Sequence, residues 1–274
     1  MDATAAPKRA ARKAEQSTPL RLLARAGYAA SGVVHILIGV IVLVVAFGGD
    51  GEADQVGAFR AIAQAPLGFV ALWVLAIALW ALGIWHALEG FLSRDVEGDA
   101  KGAAKKWGRR ISEWGQAVVF IALGAIAASI ALGARLDAEE SAEDASRGVL
   151  SIPGGPFLLG AVGLGIGITG VVFVFMGFRR SFRSKMTIPS GRLGRGITGL
   201  GVTGFIAKGV ALVIIGILLI VAAVKVDPAA AGSLDGAIQA LLVLPYGPWL
   251  AGVVGLGLIA YGVFCFFRGR YARL

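Results

Sequence analysis

Residues 31–39 read SGVVHILIG, residues 116–124 read QAVVFIALG and residues 208–216 read KGVALVIIG. Each stretch lies within a long apolar run and closes on glycine. A second set follows downstream: GIWHALEG (83–90), GVVFVFMG (170–177) and GVFCFFRG (262–269). Between the members of each pair lie GAFRAIAQAPLG (57–68), DASRGVLSIPGG (144–155) and GAIQALLVLPYG (236–247), each ending in a Pro-x-Gly corner. Self-similarity at this spacing marks one supersecondary unit used several times. Here the unit is a helical hairpin, present in three copies.

Six apolar runs, at 28–47, 67–92, 115–132, 157–178, 205–224 and 249–267, reach or approach the length needed to cross a hydrocarbon core of about 30 Å. Composition agrees: of 274 residues 57% are hydrophobic and 16% charged, whereas a soluble domain carries about a quarter charged residues. A bilayer core satisfies backbone polar groups only in helices or closed barrels, and runs this long are helices. The expected fold is all-α, a polytopic membrane protein with six transmembrane helices. Two spans per repeat give all three hairpins one orientation, around a pseudo-threefold axis along the membrane normal. The expected divisions are a basic tail without fixed structure at 1–21 and hairpins at 22–94, 106–185 and 196–274.

The net charge of +9 is unevenly placed. Lys and Arg gather in the tail up to Arg25, in 94–110, in 179–195 and at Arg268, Arg270 and Arg273. The alternate loops are acidic, with Asp50, Glu52 and Asp54, then Asp137 to Asp144, then Asp227 and Asp235. This alternation places both termini in the cytoplasm of a bacterial inner membrane. The basic loops then face anionic headgroups on the cytoplasmic side of the bilayer, and a membrane-protein partner is also expected. No aromatic-interleaved basic patch points to nucleic acid. The basic start resembles a signal peptide, but the same segment type recurs twice downstream, so it is expected to stay. The single cysteine, Cys265, lies in the last span, which leaves no intramolecular disulfide.

Glycines seven residues apart share a helix face. Gly32 and Gly39, Gly83 and Gly90, Gly170 and Gly177, Gly209 and Gly216, and Gly262 and Gly269 are such pairs, and they are read as helix-packing positions. Each Pro-x-Gly corner is expected to open the following span. The segment before it, with Arg60, Arg147 or Gln239, is expected to be a short amphipathic helix on the outer surface. Trp73, Trp80 and Trp85 are read as packing or lipid-facing, and Trp107 and Trp114 as interfacial anchors.

The triple hairpin, GYAASGVVHILIG, the Pro-x-Gly corner and the exit G-x6-G followed by Arg resemble a bacterial membrane-protein family known as domain of unknown function twelve-oh-six. Its members usually carry three tandem copies and six helices. The likeness runs from Leu22 onward and is looser in the second repeat. There Ser112 and Glu113 stand where the others have Gly27-Tyr28 and Gly204-Phe205. The resemblance implies a fold and a location, and no activity.

The repeats also act as controls for the polar residues inside the spans. His86 corresponds to Phe173 and Cys265, Glu89 to Met176 and Arg268, His35 to Phe120 and Leu212, and Ser31 to Gln116 and Lys208. The hairpin itself therefore requires none of them. At 1.5 Å per residue, His35 lies about 12 Å into its span and His86 about 9 Å from the end of its own. Both fall in the cytoplasmic third. His35, His86, Glu89, Lys208, Ser31 and Gln116 are expected to form one polar cluster there, since ionisable groups in a membrane face a bundle interior. The competing reading has Glu89 and Lys208 reaching headgroups or each other.

GIGITG (165–170) and GLGVTG (199–204) match G-x-G-x-x-G but lack the strand context of a dinucleotide site. No nucleophile–base arrangement is present, so the protein is not expected to be an enzyme, and no cofactor is expected. The expected role is that of a structural or accessory membrane protein. The alternatives are a small transporter or proton-coupled permeation protein using His35, His86 and Glu89, and a haem- or metal-binding protein.

Overall fold

The computed structural model describes residues 18–92 and 100–272, with side chains in the third span from residue 107. The tail before Thr18, the loop at 93–99 and the last two residues lie outside it. Thr18 to Arg21, assigned to the tail from sequence, already belong to the first helix.

Among the described residues there are nine α-helices. The six spans are α1 (Thr18–Ala46), α3 (Gly68–Leu92), α4 (Ala100–Ala131), α6 (Gly155–Arg179), α7 (Gly191–Lys225) and α9 (Gly247–Tyr271). Between the spans of each hairpin sits a short amphipathic helix: α2 (Gln55–Gln64), α5 (Ala138–Leu150) and α8 (Leu234–Leu242). The protein is a multi-pass membrane protein of three repeated hairpins. α4 and α7 start well before their apolar runs, so their first turns project from the basic end.

The Pro-x-Gly corner is a turn before the helix, not its first turn. The N–H of Gly68, Gly155 and Gly247 donates to the carbonyl of Ala65, Ile152 and Leu244 at 2.9, 2.9 and 2.8 Å. Pro66, Pro153 and Pro245 thus occupy the second position of a four-residue turn, where a fixed φ is favourable. The third position is left-handed, with φ of 63° at Leu67, 79° at Gly154 and 61° at Tyr246. The fourth must be glycine: a Cβ there would lie 2.0 to 2.4 Å from a carbonyl oxygen of the preceding helix.

The three hairpins form a ring in which the closest contacts join one repeat to the next. α3 packs on α4, α6 on α7, and α9 on α1. The same repeat positions meet each time. A Cβ on Gly32 would lie 2.7 Å from the Gly262 carbonyl oxygen, and one on Gly262 2.6 Å from that of Gly32. Gly170 and Gly209 stand in the same relation at 2.6 Å each way. In the third copy Gly83 meets the Ala117 carbonyl at 3.1 Å. Two turns further along, Gly39 meets Gly255, Gly216 meets Gly163, and Gly124 meets Ala76. Gly177 packs on Val202 and Ile206, Gly269 on the Arg25 carbonyl, and Gly90 under the Trp114 ring. Trp114 is therefore a packing group as well as an interfacial one. Trp80 packs on Gly124 and donates its Nε1–H to the Ile121 carbonyl at 3.1 Å.

Within a hairpin the approach is made elsewhere. Cβ atoms on Gly27 and Gly204 would lie 2.5 Å from Ala78 and Tyr261, which brings α1 to α3 and α7 to α9. The second hairpin has Ser112 at this position, and its α4 and α6 make no comparable contact. The ring is open there.

At the acidic end the amphipathic helices interlock in the same cyclic sense. Arg60 of the first repeat donates to the Leu136 carbonyl of the second and to Glu52. Glu139 of the second accepts from the Ser233 N–H of the third at 2.9 Å, and Asp235 of the third accepts from the Ala53 N–H of the first at 2.8 Å. Beneath this cap Val34, Ile38, Val42, Phe59, Leu72 and Leu79 form a continuous apolar core.

Candidate functional site

The polar residues read as one cluster fall into two groups toward the basic end. The first is built where α3 meets α4. His86 Nδ1–H donates to Glu113 Oε2 at 2.7 Å, and the Lys185 ammonium donates to Glu113 Oε1 at 2.8 Å. Lys185 is the last residue of a 3₁₀ turn, Ser181–Lys185, that follows α6. Glu113 is 0% exposed and His86 1%, while the Lys185 side chain is half in solvent. A buried carboxylate is tolerable only with its lone pairs engaged, and here both oxygens have a donor. The imidazole stacks on Phe120 at 5.5 Å and meets Tyr28 edge-on at 6.2 Å. Its Nε2 has no hydrogen-bond partner among the described residues.

Glu89 stands one helical turn from His86. The ligating atoms of His86, Glu89 and Glu113 lie within 4.8 Å of one another. One imidazole and two carboxylates are a donor set for a borderline divalent cation. Cations already surround it, however: Lys185 bonds Glu113 directly, and Arg109 and Arg268 stand near the carboxylates. The two Glu113 oxygens are both taken up by this network, one by His86 and one by Lys185.

The second group is built where α1, α7 and α9 meet. His35 Nδ1–H donates to the Ser31 carbonyl at 2.7 Å, and its Nε2 accepts from the Lys208 ammonium at 3.2 Å. Both contacts specify a neutral imidazole with its proton on Nδ1. The Lys208 ammonium also sits 4.7 Å from the Tyr261 ring and 5.9 Å from that of Phe173. No carboxylate pairs with it among the described residues. With both ring nitrogens of His35 engaged, a bis-histidine haem site has lost one axial ligand.

Between the two groups stands Arg268, its guanidinium 4.6 Å from the centre of the Tyr28 ring. Gln116 belongs to neither group, because its side chain donates along its own helix to the Ser112 carbonyl at 3.3 Å. Glu89 and Lys208 do not pair. Glu113 is the functional residue that sequence reasoning missed. Its signal was present: position 113 corresponds to Tyr28 and Phe205, so a carboxylate replaces an aromatic ring at a shared contact. Where Phe205 meets Phe173 edge-on at 5.7 Å, Glu113 meets His86.

Comparison with known proteins bears on family and fold. The chain is 30% identical over 264 residues to an uncharacterized protein, YxxB, of Bacillus subtilis (strain 168), covering 96% of this chain and 94% of the relative. No solved structure matches it. The model of the family described as Domain of Unknown Function (DUF1206) matches three tandem segments, 26–93, 113–180 and 203–272, the three hairpins of the ring. The chain belongs to this family.

Proposed function

We propose that this protein is a non-enzymatic accessory component of the bacterial inner membrane, with both termini in the cytoplasm, that associates with another membrane protein through the open side of its ring. The observation that carries this reading is the isolation of α4 and α6. In α3 and α9, 56% of the most apolar stretch is buried within the protein; in α4 the share is 28% and in α6 17%. Each of these two helices has a single packed transmembrane neighbour, so the edge of the ring presents Val118, Val119, Val171 and Val172 to the bilayer. Small and β-branched faces of this kind support helix association in lipid, where close packing is the driving term.

The test is site-specific photo-crosslinking in native membranes. A probe at Val172 or Val118 is expected to give a discrete protein adduct, and a probe at the exposed Val74 of α3 only lipid adducts. Identical lipid-only patterns at all three sites would sink the reading.

The line from solvent-facing Lys185 through Glu113 to buried His86 favours proton-coupled permeation as a second reading. Against it stand the apolar core above the site and the interlocked cap at the acidic end. Proton flux into liposomes that vanishes in Glu113→Gln would establish it. Flux equal to that of protein-free liposomes would reject it.

A further inference from the structure

A cavity of about 500 Å³ lies at the basic end, between the 3₁₀ turn after α6 and the first turns of α7. Arg180, Arg183 and Arg195 line it together with Ser190, Thr198 and Thr203. None of the three arginines pairs with a carboxylate among the described residues. Three guanidinium groups around one concavity repel one another unless an anion is shared between them. The position narrows what that anion is. Arg180 directly follows α6, and Thr203 stands two residues before the apolar run that starts at Phe205, so the cavity opens where spans meet headgroups. Phe175 and Phe178, both exposed on α6, continue the adjoining surface toward the hydrocarbon.

We propose that this cavity binds the headgroup phosphate of an anionic phospholipid. Basic pockets beside transmembrane helices at the cytoplasmic face take such headgroups, and the arginine fork suits phosphate oxygens better than a lysine ammonium does. The hydroxyls of Ser190 and Thr203 add donors on the same wall, while that of Thr198 donates to the Gly194 carbonyl at 2.8 Å. The proposal rests on the lining of the cavity and is independent of the open side of the ring. Lys185 shares the 3₁₀ turn with Arg183, so an occupied cavity also steadies the residue that reaches Glu113.

The test is lipid titration of the full-length detergent-solubilised protein, read by native mass spectrometry. Phosphatidylglycerol is expected to bind more tightly than phosphatidylcholine of the same chain length by on the order of tenfold. Arg180→Gln/Arg183→Gln/Arg195→Gln is expected to bring the two lipids level. Gly199→Leu, which keeps every charge, is expected to do the same. Gly199 lines the cavity, and an added Cβ meets nothing within 4 Å, so a side chain can start there without displacing the backbone. Arg192→Gln/Arg270→Gln, outside the cavity, is expected to keep the preference. The proposal fails if Gly199→Leu retains full preference, if the outside pair loses as much as the triple variant, or if inorganic phosphate at millimolar concentration displaces the lipid. These outcomes would assign the effect to general surface charge or to a soluble anion.

Discussion

Glu113 of the second hairpin accepts a hydrogen bond from His86 of the first across 2.7 Å, at the junction where one repeat packs on the next. The same junction holds an aromatic pair between the second and third repeats. A contact that is aromatic between the second and third repeats is replaced here by a buried acid–imidazole pair tied to the surface through Lys185. Glu113→Ala leaves His86 and Lys185 without their acceptor and is expected to cost about 3–5 kcal/mol, the range for breaking a buried pair. Lys185→Met leaves the buried Glu113 Oε1 without its donor and is expected to cost about 1–3 kcal/mol, less than loss of the carboxylate itself. Thermal melts in detergent check both, and equal losses would mean that Glu113 acts only through Lys185.

Lys208 donates to a neutral His35 and has no carboxylate partner among the described residues. His35→Phe installs the residue of the second repeat but removes the hydrogen-bond acceptor of a partly buried ammonium. It is expected to destabilise by about 1–3 kcal/mol. In a Lys208→Gln background, again a second-repeat residue, the same change is expected to be near neutral. The double-mutant cycle measures this coupling directly.

The glycines divide into those that touch a neighbour and those that do not. Gly32→Ala and Gly209→Ala put a Cβ 2.7 and 2.6 Å from a facing carbonyl oxygen. Backbone must shift, at an expected cost of about 1–3 kcal/mol each. Gly165→Ala on α6 meets nothing within 4 Å and is expected to gain up to about 1 kcal/mol from helix propensity. Opposite signs in the melts test the assignment.

The corner turns give a similarly signed pair. Tyr246 is left-handed at φ 61°, and Tyr246→Gly is expected to gain about 1 kcal/mol by relieving that conformation. At its neighbour, Gly247→Ala drives a Cβ to 2.4 Å from the Leu242 carbonyl oxygen and is expected to destabilise.

Asp54 caps α2, accepting from the Gly57 N–H at 2.9 Å, and is 2% exposed. Burial raises its pKa against the lowering effect of that N–H, and the Asp235 and Glu52 carboxylates add to the rise. The folded protein thus holds this proton more tightly than the unfolded chain does. The contribution is complete below the unfolded carboxyl value of about 3.9 and is lost as pH climbs through the raised folded value. Asp54→Asn keeps the cap oxygen without the charge, so it is expected to flatten the pH dependence above the unfolded carboxyl value and to raise stability at the alkaline end. Asp54→Ala loses the cap, at about 1 kcal/mol. Melting temperature against pH for the three proteins decides the matter.

Much of the architecture was legible because it depends on local rules. Apolar length and charge alternation marked the spans, and the recurrence of SGVVHILIG-type and GIWHALEG-type segments marked three hairpins. The amphipathic helices were visible in the residues around Arg60, Arg147 and Gln239. The Pro-x-Gly corner was seen but misplaced by one turn. Its left-handed middle residue is Leu, Gly or Tyr, so side-chain identity carries little information about that conformation.

By itself, the sequence determined the class, the six long apolar helices, the repeat and the end of those helices at which His35, His86, Glu89 and Lys208 lie, because each follows from hydropathy and position along one helix. Only the tertiary structure decided which helices meet. The seven-residue glycine faces join different repeats, and α4, which has Ser112 where its counterparts have glycine, does not pack closely on α6. That pairing split the expected polar cluster in two, left Gln116 outside and gave Glu113 to His86. Side chains on separate helices become partners only when backbone approach allows it, and that approach is decided by single Cβ atoms at positions far apart in the chain.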